Sequence, residues 1–283
     1  MIAAALALAG CGGDDGPDGP PGDPAPHFDD GAMRIDVQSQ PFAGEPATLV
    51  WGLLSTTPAP WPYDPPVVSG NCRMSLRHDS ESCGPECAFG PDVCDAGVCR
   101  PLPEPQSAGP LTAAGGGVIR TIPFDMGYRF YLRQALFEPG AEITVHAPGA
   151  DLPGFALGAR LPEPIEVLGV ADLQLEAGVA LTLRWRPVGD GDRVRVILGA
   201  DFGHAQLRSV LVECDLPDDA GQITIPQPMI DELADRSHWQ CGSCLSQEVR
   251  RYRRADTALA GTTLSLWAYQ AAYLALQPRI TVP

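Results

Sequence analysis

The chain has 283 residues and a formal charge of −16, and its nineteen basic side chains are all arginine. Phosphate binding rests on a basic surface, so this composition argues against nucleic acid as a partner. The absence of lysine excludes a Walker A phosphate loop, a Schiff-base lysine and a Ser-x-x-Lys acyl-transfer site.

The first eleven residues are typical of an export leader that ends at a cysteine. Residues 2–9 are apolar but too few to span a bilayer, which takes about 20 residues. They fit the apolar part of a leader instead. No basic residue precedes Arg34, so we expect the natural start to lie upstream. The run Leu8-Ala9-Gly10-Cys11 resembles the lipobox of bacterial lipoproteins.

This resemblance implies a lipid anchor. Residues 1–10 would be a truncated signal peptide, and Cys11 would be the lipid attachment site and the contact with the membrane. Stable anchoring takes two or more acyl chains. Gly12 favours the outer membrane of a Gram-negative cell envelope. The missing lysine is typical of a GC-rich genome.

Residues 11–28 are predicted to be a disordered tether. Positions 12–26 hold five Gly, five Pro, four Asp and one Ala, and no large apolar side chain offsets the entropy of ordering. Fully extended, this segment reaches about 50 Å at most. We expect it to hold the body above the lipid headgroups.

The body of the chain contains many short segments in which apolar and polar residues alternate. A period of two is typical of half-buried β-strands. Proline, glycine and aspartate between the segments supply turns. The predicted strands occupy 32–38, 47–54, 66–76, 127–133, 142–146, 181–186 and 194–198. We therefore expect an all-β fold with one or two antiparallel β-sandwich domains.

Two segments near the C-terminus have distinct patterns. Residues 227–236, with Pro228 in the first turn and an apolar stripe, predict one short helix. Residues 262–276 alternate in a way that predicts a long strand, although their alanine content also allows a helix.

The domain division is predicted near residue 169. The first sandwich would span 29–168 and carry a disulfide-rich insert at 72–100, and the second would span 169–283. A single elaborated sandwich is the alternative.

Eight cysteines other than Cys11 predict disulfide bonds, because an even number in an exported chain is typical of them. They are Cys72, Cys83, Cys87, Cys94, Cys99, Cys214, Cys241 and Cys244. Five lie in the first half and three in the second, so complete pairing needs a bridge between the halves. We predict Cys83–Cys94 and Cys87–Cys99, with Cys72 joined to one of the second group and the other two joined together.

Metal and redox chemistry are the alternatives for these cysteines. The spacing from Cys83 to Cys99 also offers four thiolates for zinc. Cys241-Gly-Ser-Cys244 has the spacing of a thioredoxin-like motif. That motif normally starts a helix in a βαβ unit, and here it follows a helix among strands. We favour disulfides in both places and expect no metal and no cofactor.

Charged and histidine-containing segments carry weak signals. The run Arg250-Arg251-Tyr252-Arg253-Arg254 could form a patch that binds a polyanion. In a strand, however, these arginines split between both faces, which favours a solvated surface paired with nearby acids such as Glu213, Asp215, Asp218 and Asp219. The turns at 190–192 and 215–219 offer oxygen ligands for Ca²⁺, but the full alternating loop is absent. The histidines show no ligand spacing; they are His27, His78, His146, His204 and His238.

Aromatic residues suggest a binding face for a sugar or a peptide. They are Trp51, Trp61, Tyr63, Trp239, Trp267 and Tyr269. Trp267 and Tyr269 would share one face of a strand. We favour the other interpretation, in which these side chains fill the core or the domain interface, where aromatic residues contribute much of the burial.

The sequence lacks the Gly-x-Ser-x-Gly, His-Glu-x-x-His and Gly-x-Gly-x-x-Gly motifs. We therefore expect a non-catalytic structural or binding module that takes a protein or glycan ligand. The alternative is an exported hydrolase that acts on carbohydrate or peptide through dispersed carboxylates. A polar cleft with two carboxylates about 5–10 Å apart would indicate it.

Overall fold

The structure is a computed structural model that describes most of the body. The described residues are 26–28, 33–42, 45–57, 65–76, 83, 87, 92–95, 97–170, 173–200, 210–237, 245–274 and 276–278. The predicted leader, Cys11 and most of the tether lie outside them, as do Trp61, Tyr63, Trp239, Cys241 and Cys244.

The fold is all-β, as predicted, with a short helix α1 (Gln227–Ser237) at the predicted place. The strands of the first part are β1 (Met33–Phe42), β2 (Glu45–Leu53), β3 (Val67–Ser69), β4 (Cys72–Leu76), β5 (Val93–Asp95), β6 (Val98–Arg100), β7 (Leu111–Gly115), β8 (Val118–Ile122), β9 (Tyr128–Leu132), β10 (Glu142–Ala147) and β11 (Phe155–Arg160). Those of the second part are β12 (Val167–Leu168), β13 (Gln174–Leu175), β14 (Leu181–Trp185), β15 (Arg193–Ala200), β16 (Val210–Pro217), β17 (Gln222–Ile225), β18 (Leu245–Leu259), β19 (Thr262–Tyr273) and β20 (Gln277–Pro278). Residues 262–273 are thus a strand, as predicted.

A nine-stranded sheet forms the centre of the molecule. Its order is β3-β4-β16-β15-β18-β19-β1-β2-β9, with every neighbouring pair antiparallel except β1 and β19. Strands from both sides of residue 169 belong to it, so the predicted division does not mark a break in this sheet.

Alternation along the strands gives this sheet two different faces. In β1, Met33, Ile35 and Val37 point to one face, while Arg34 and Asp36 point to the other. The apolar face is covered by other elements and forms the cores. The same strands therefore carry apolar side chains on one face and charged or polar side chains on the other.

Two cores lie on the apolar face. The first packs β1, β2, β9, β18 and β19 against the four-stranded sheet β11-β10-β7-β8. The second packs β4, β15 and β16 against α1 and the three-stranded sheet β12-β14-β17. In α1, Met229, Ile230 and Leu233 supply the predicted apolar stripe. Two-layer packing of this kind gives the sandwich-like architecture.

The arginine run in β18 differs from the solvated surface that the sequence favours. Its side chains do split between the faces, but Arg251 is fully buried on the apolar side. Its guanidinium bonds the Asp218 carboxylate at 3.0 Å and the backbone oxygens of Glu163, Pro164 and Arg186. These carbonyls belong to segments flanking β12 and β14, so Arg251 fastens the small sheet to the large one.

Two disulfides are present among the described cysteines. Cys72–Cys214 joins the paired positions of β4 and β16 across 142 residues, and Cys83–Cys94 lies in the insert. The Cys83–Cys94 pair is the one that the sequence predicts, and Cys214 is one of the three partners that the sequence left open for Cys72. The predicted Cys87–Cys99 bridge is absent: both are free thiols, and the Cys99 thiol donates to Asp92 Oδ2 at 3.7 Å.

Candidate functional site

The polar side of the nine-stranded sheet carries a dense layer of charged and aromatic side chains, which we call the charged face. Its members are Arg34, Asp36, Gln38, Trp51, Arg73, Ser75, Arg193, Arg195, Glu213, Asp215, Glu248, Arg250, Tyr252, Arg254, Asp256, Ser265, Trp267 and Tyr269.

Ion pairs across neighbouring strands connect this face. Glu213 accepts from Arg73 at 2.8 Å and also from Arg195. Burial by itself would raise the pKa of Glu213, but the two guanidinium groups outweigh it and hold the pKa below its ordinary value. Asp215 accepts from Arg193 and from the Tyr252 hydroxyl.

Aromatic rings and guanidinium groups stack on the same face. The centroids of the Trp267 and Tyr252 rings lie 4.6 Å apart. The guanidinium carbons of Arg34, Arg195 and Arg254 lie 4.4, 5.2 and 5.3 Å from the centroid of the Trp267 ring. These distances are typical of cation–π contacts. Trp267 and Tyr269 share this face, as predicted, but are 1% and 3% exposed. They therefore do not form an open platform for a sugar.

The base of the predicted tether packs on the charged face. The His27 backbone N–H donates to Asp215 at 3.1 Å, and the Arg73 guanidinium lies 4.4 Å from the Phe28 ring. Most members of the face are buried. The charged face therefore serves the fold rather than an external ligand.

An accessible polar pocket of about 430 Å³ lies elsewhere, between three loops. One loop follows β2, one precedes β7, and one joins β10 to β11. The lining residues are Ser55, Thr56, Thr57, Glu104, Pro105, Gln106 and Asp151. This volume is within the range of small-molecule sites, about 300–1,000 Å³.

Hydrogen bonds hold Gln106 in the wall of the pocket. Its backbone N–H donates to the Leu54 oxygen at 2.8 Å. Its side-chain Oε1 accepts from the backbone N–H of Thr56 at 2.9 Å and from the Thr56 hydroxyl at 3.0 Å. The backbone N–H of Thr56 can only donate, so the Gln106 atom that accepts from it must be the amide oxygen. The amide nitrogen, Nε2, therefore remains as a donor.

Further hydrogen bonds hold the loop between β10 and β11 and the loop before β7. Asp151 Oδ2 accepts from the Ser107 backbone N–H at 3.1 Å. The Tyr128 hydroxyl accepts from the Ala108 N–H at 2.8 Å and donates to the Gly109 oxygen at 2.7 Å. Tyr128 is fully buried in β9, so the loop before β7 is tied to the large sheet.

Arginines occupy the acidic turns that could have bound calcium. Asp190 pairs with Arg160 at 2.9 Å and Asp192 with Arg253. Within the described ranges, no group of three or more metal-binding side chains occurs. Cys83 and Cys94 are joined in a disulfide, which removes two of the thiolates that a zinc site in the insert would need.

The pocket residues were not among the sequence-predicted sites. Ser55 and Gln106 are 51 positions apart, and no motif links the three loops. The clusters of Ser, Thr, Pro and Gln predict loops but not that the loops meet.

Comparisons with known proteins identify no family. No protein-family model matches the chain, and no curated protein matches it. Among the described residues, no helix is both long enough and apolar enough to cross a membrane.

Proposed function

We propose that this chain is a lipid-anchored protein of the cell envelope, attached to the outer membrane through Cys11. The lipobox-like run and the acidic tether motivate the anchor. The disulfides Cys72–Cys214 and Cys83–Cys94 support an exported protein, because disulfides persist in oxidising compartments.

The body acts as a non-catalytic binding module. The observation that carries this proposal is the polar pocket, whose walls are fixed by hydrogen bonds before any ligand arrives. Walls fixed in advance reduce the entropy cost of binding.

Metabolic labelling tests the anchor. The wild-type chain, expressed in a Gram-negative host, is expected to incorporate radiolabelled palmitate and to fractionate with outer membranes. The Cys11→Ala variant should lose both the label and the membrane association. Unlabelled wild-type protein in the soluble fraction would refute the anchor.

Pull-down from intact cells tests the binding module. The Cys11→Ala protein serves as soluble bait, and retained material is analysed for protein and for sugar. We expect specific material that is absent from beads carrying an unrelated acidic protein. Equal recovery from both sets of beads would contradict binding.

An exported hydrolase is the second candidate, because Glu104 and Asp151 line the same pocket. Both side chains are exposed, whereas catalytic carboxylates normally lie in a site that excludes water. We expect no product release from polysaccharides or peptides. Turnover by wild type that is lost in both Glu104→Gln and Asp151→Asn would favour the hydrolase.

A further inference from the structure

We propose that the polar pocket binds a neutral, hydroxyl-rich ligand, namely a glycan unit. This inference rests on the proposed binding function and names its ligand class.

The chemistry of the lining excludes other ligand classes. Among the described residues, the lining contains three hydroxyls, an amide and two carboxylates, and no cation or large apolar or aromatic side chain. An apolar ligand would gain little, because hydrophobic binding scales with the apolar area that is buried. An anion would meet Glu104 and Asp151 in a chain of charge −16.

A cationic ligand fits less well than a polyol. A calcium ion takes six to eight oxygen ligands, and the described part of the chain holds no suitable cluster of acids. An organic amine would rely on two exposed carboxylates, and exposed ion pairs contribute at most about 1 kcal/mol.

Sugar hydroxyls match the mixture of groups that remains. Each hydroxyl both donates and accepts a hydrogen bond. Gln106 Nε2 offers donors, while Glu104 and the second oxygen of Asp151 offer acceptors. The oxygens Gln106 Oε1 and Asp151 Oδ2 are already engaged by the protein, which fixes the direction of the remaining groups.

The Gln106→Glu variant tests the contribution of the Nε2 donors of Gln106. A glutamate keeps an oxygen for the N–H and hydroxyl of Thr56 but removes the Nε2 donors. Gln222→Glu is the matched control, because Gln222 Oε1 also accepts, from Arg184 Nε at 3.3 Å, on an exposed strand outside the pocket. Both variants carry Cys11→Ala so that the full chain stays soluble.

Saturation-transfer NMR with maltotriose and with N,N′,N″-triacetylchitotriose, both neutral sugars, tests the inference. We expect saturation transfer to the ring protons of at least one sugar with the Cys11→Ala chain that is otherwise unchanged, and with the chain that also carries Gln222→Glu. Gln106→Glu should weaken that binding about fivefold or more, since a hydrogen bond of about 1 kcal/mol is lost. Its Tm should change by less than about 2 °C, which shows that the loops are intact.

Two results would overturn the inference. One is no transfer to either sugar from the wild-type body, and the other is equal binding by Gln106→Glu and Gln222→Glu. The palmitate labelling and the pull-down are independent of these sugars, so a failed glycan inference is distinguishable from a failed proposed function.

Discussion

Glu213 of β16 forms ion pairs with one arginine on each neighbouring strand of the charged face, Arg73 on β4 and Arg195 on β15. Its side chain is 7% exposed, and those of Arg73 and Arg195 are 5% and 3% exposed. Nε and Nη1 of Arg195 have no hydrogen-bond partner among the described residues, so the bond to Glu213 is the main compensation for burying this cation.

Replacing Glu213 should therefore be costly. Glu213→Gln removes the negative charge but keeps the size, and we expect the free energy of unfolding to fall by about 3–5 kcal/mol at pH 7. Glu166→Gln is the control, since Glu166 pairs with Arg186 at the surface and should change it by at most about 1 kcal/mol. Urea denaturation measures both. Equal losses in the two variants would contradict the expected difference.

The same residue predicts a pH dependence. Its folded-state pKa lies below the ordinary value of 4.5. The ion pairs therefore stabilise the fold fully above about pH 4.5, and this contribution is lost as the pH falls through the lower folded-state pKa. The difference in unfolding free energy between wild type and Glu213→Gln should shrink from pH 5 to pH 2. A constant difference across this range would disprove the link to Glu213.

At the scale of elements, the turn between β10 and β11 holds one wall of the pocket, and Gly154 limits how this turn can pack. A Cβ at Gly154 would lie 2.7 Å from the backbone oxygen of Pro148. At Gly158, in the middle of β11, the nearest atom is 3.7 Å away, which is ordinary contact. Within one hairpin, an added Cβ would therefore clash with the backbone at Gly154 and make only ordinary contact at Gly158.

This contrast gives a paired prediction. Gly154→Ala should lower the free energy of unfolding by about 1–3 kcal/mol, because the backbone must move. Gly158→Ala should change it by less than about 0.5 kcal/mol. The measurement is the midpoint of urea denaturation at unchanged slope. Similar midpoints for the two variants would show that the turn relaxes freely.

For the whole molecule, Cys72–Cys214 is the covalent link with the longest reach among the described disulfides. It closes a sequence separation of 142 residues, whereas Cys83–Cys94 closes 11. A cross-link stabilises mainly by restricting the unfolded chain, and the restriction grows with the logarithm of loop length.

Removing the long link should therefore cost more than removing the short one. We expect the Cys72→Ala/Cys214→Ala variant to lose about 2 kcal/mol more unfolding free energy than Cys83→Ala/Cys94→Ala. Thermal and urea unfolding of both variants measure this. A larger loss from the short link would mean that native-state contacts, not loop entropy, dominate.

The strands and the helix were largely predictable because their signals are local. Alternation identified β10 and β14, and the stripe around Met229 and Leu233 identified α1. The same alternation placed Arg250 and Arg251 on opposite faces of β18. It did not show that both faces are buried, because burial depends on what packs above each face.

The sequence by itself determined the all-β class, the helix and the lipobox-like run, and its cysteine count indicated a disulfide between the two halves if all eight cysteines pair. Each of these depends on residue type, short-range period or a count. The tertiary structure decided that β1 lies beside β19, that arginines fill the acidic turns, and that Ser55, Gln106 and Asp151 line one pocket. Strand pairing over such separations depends on the packing of the whole sheet, and no local pattern records it.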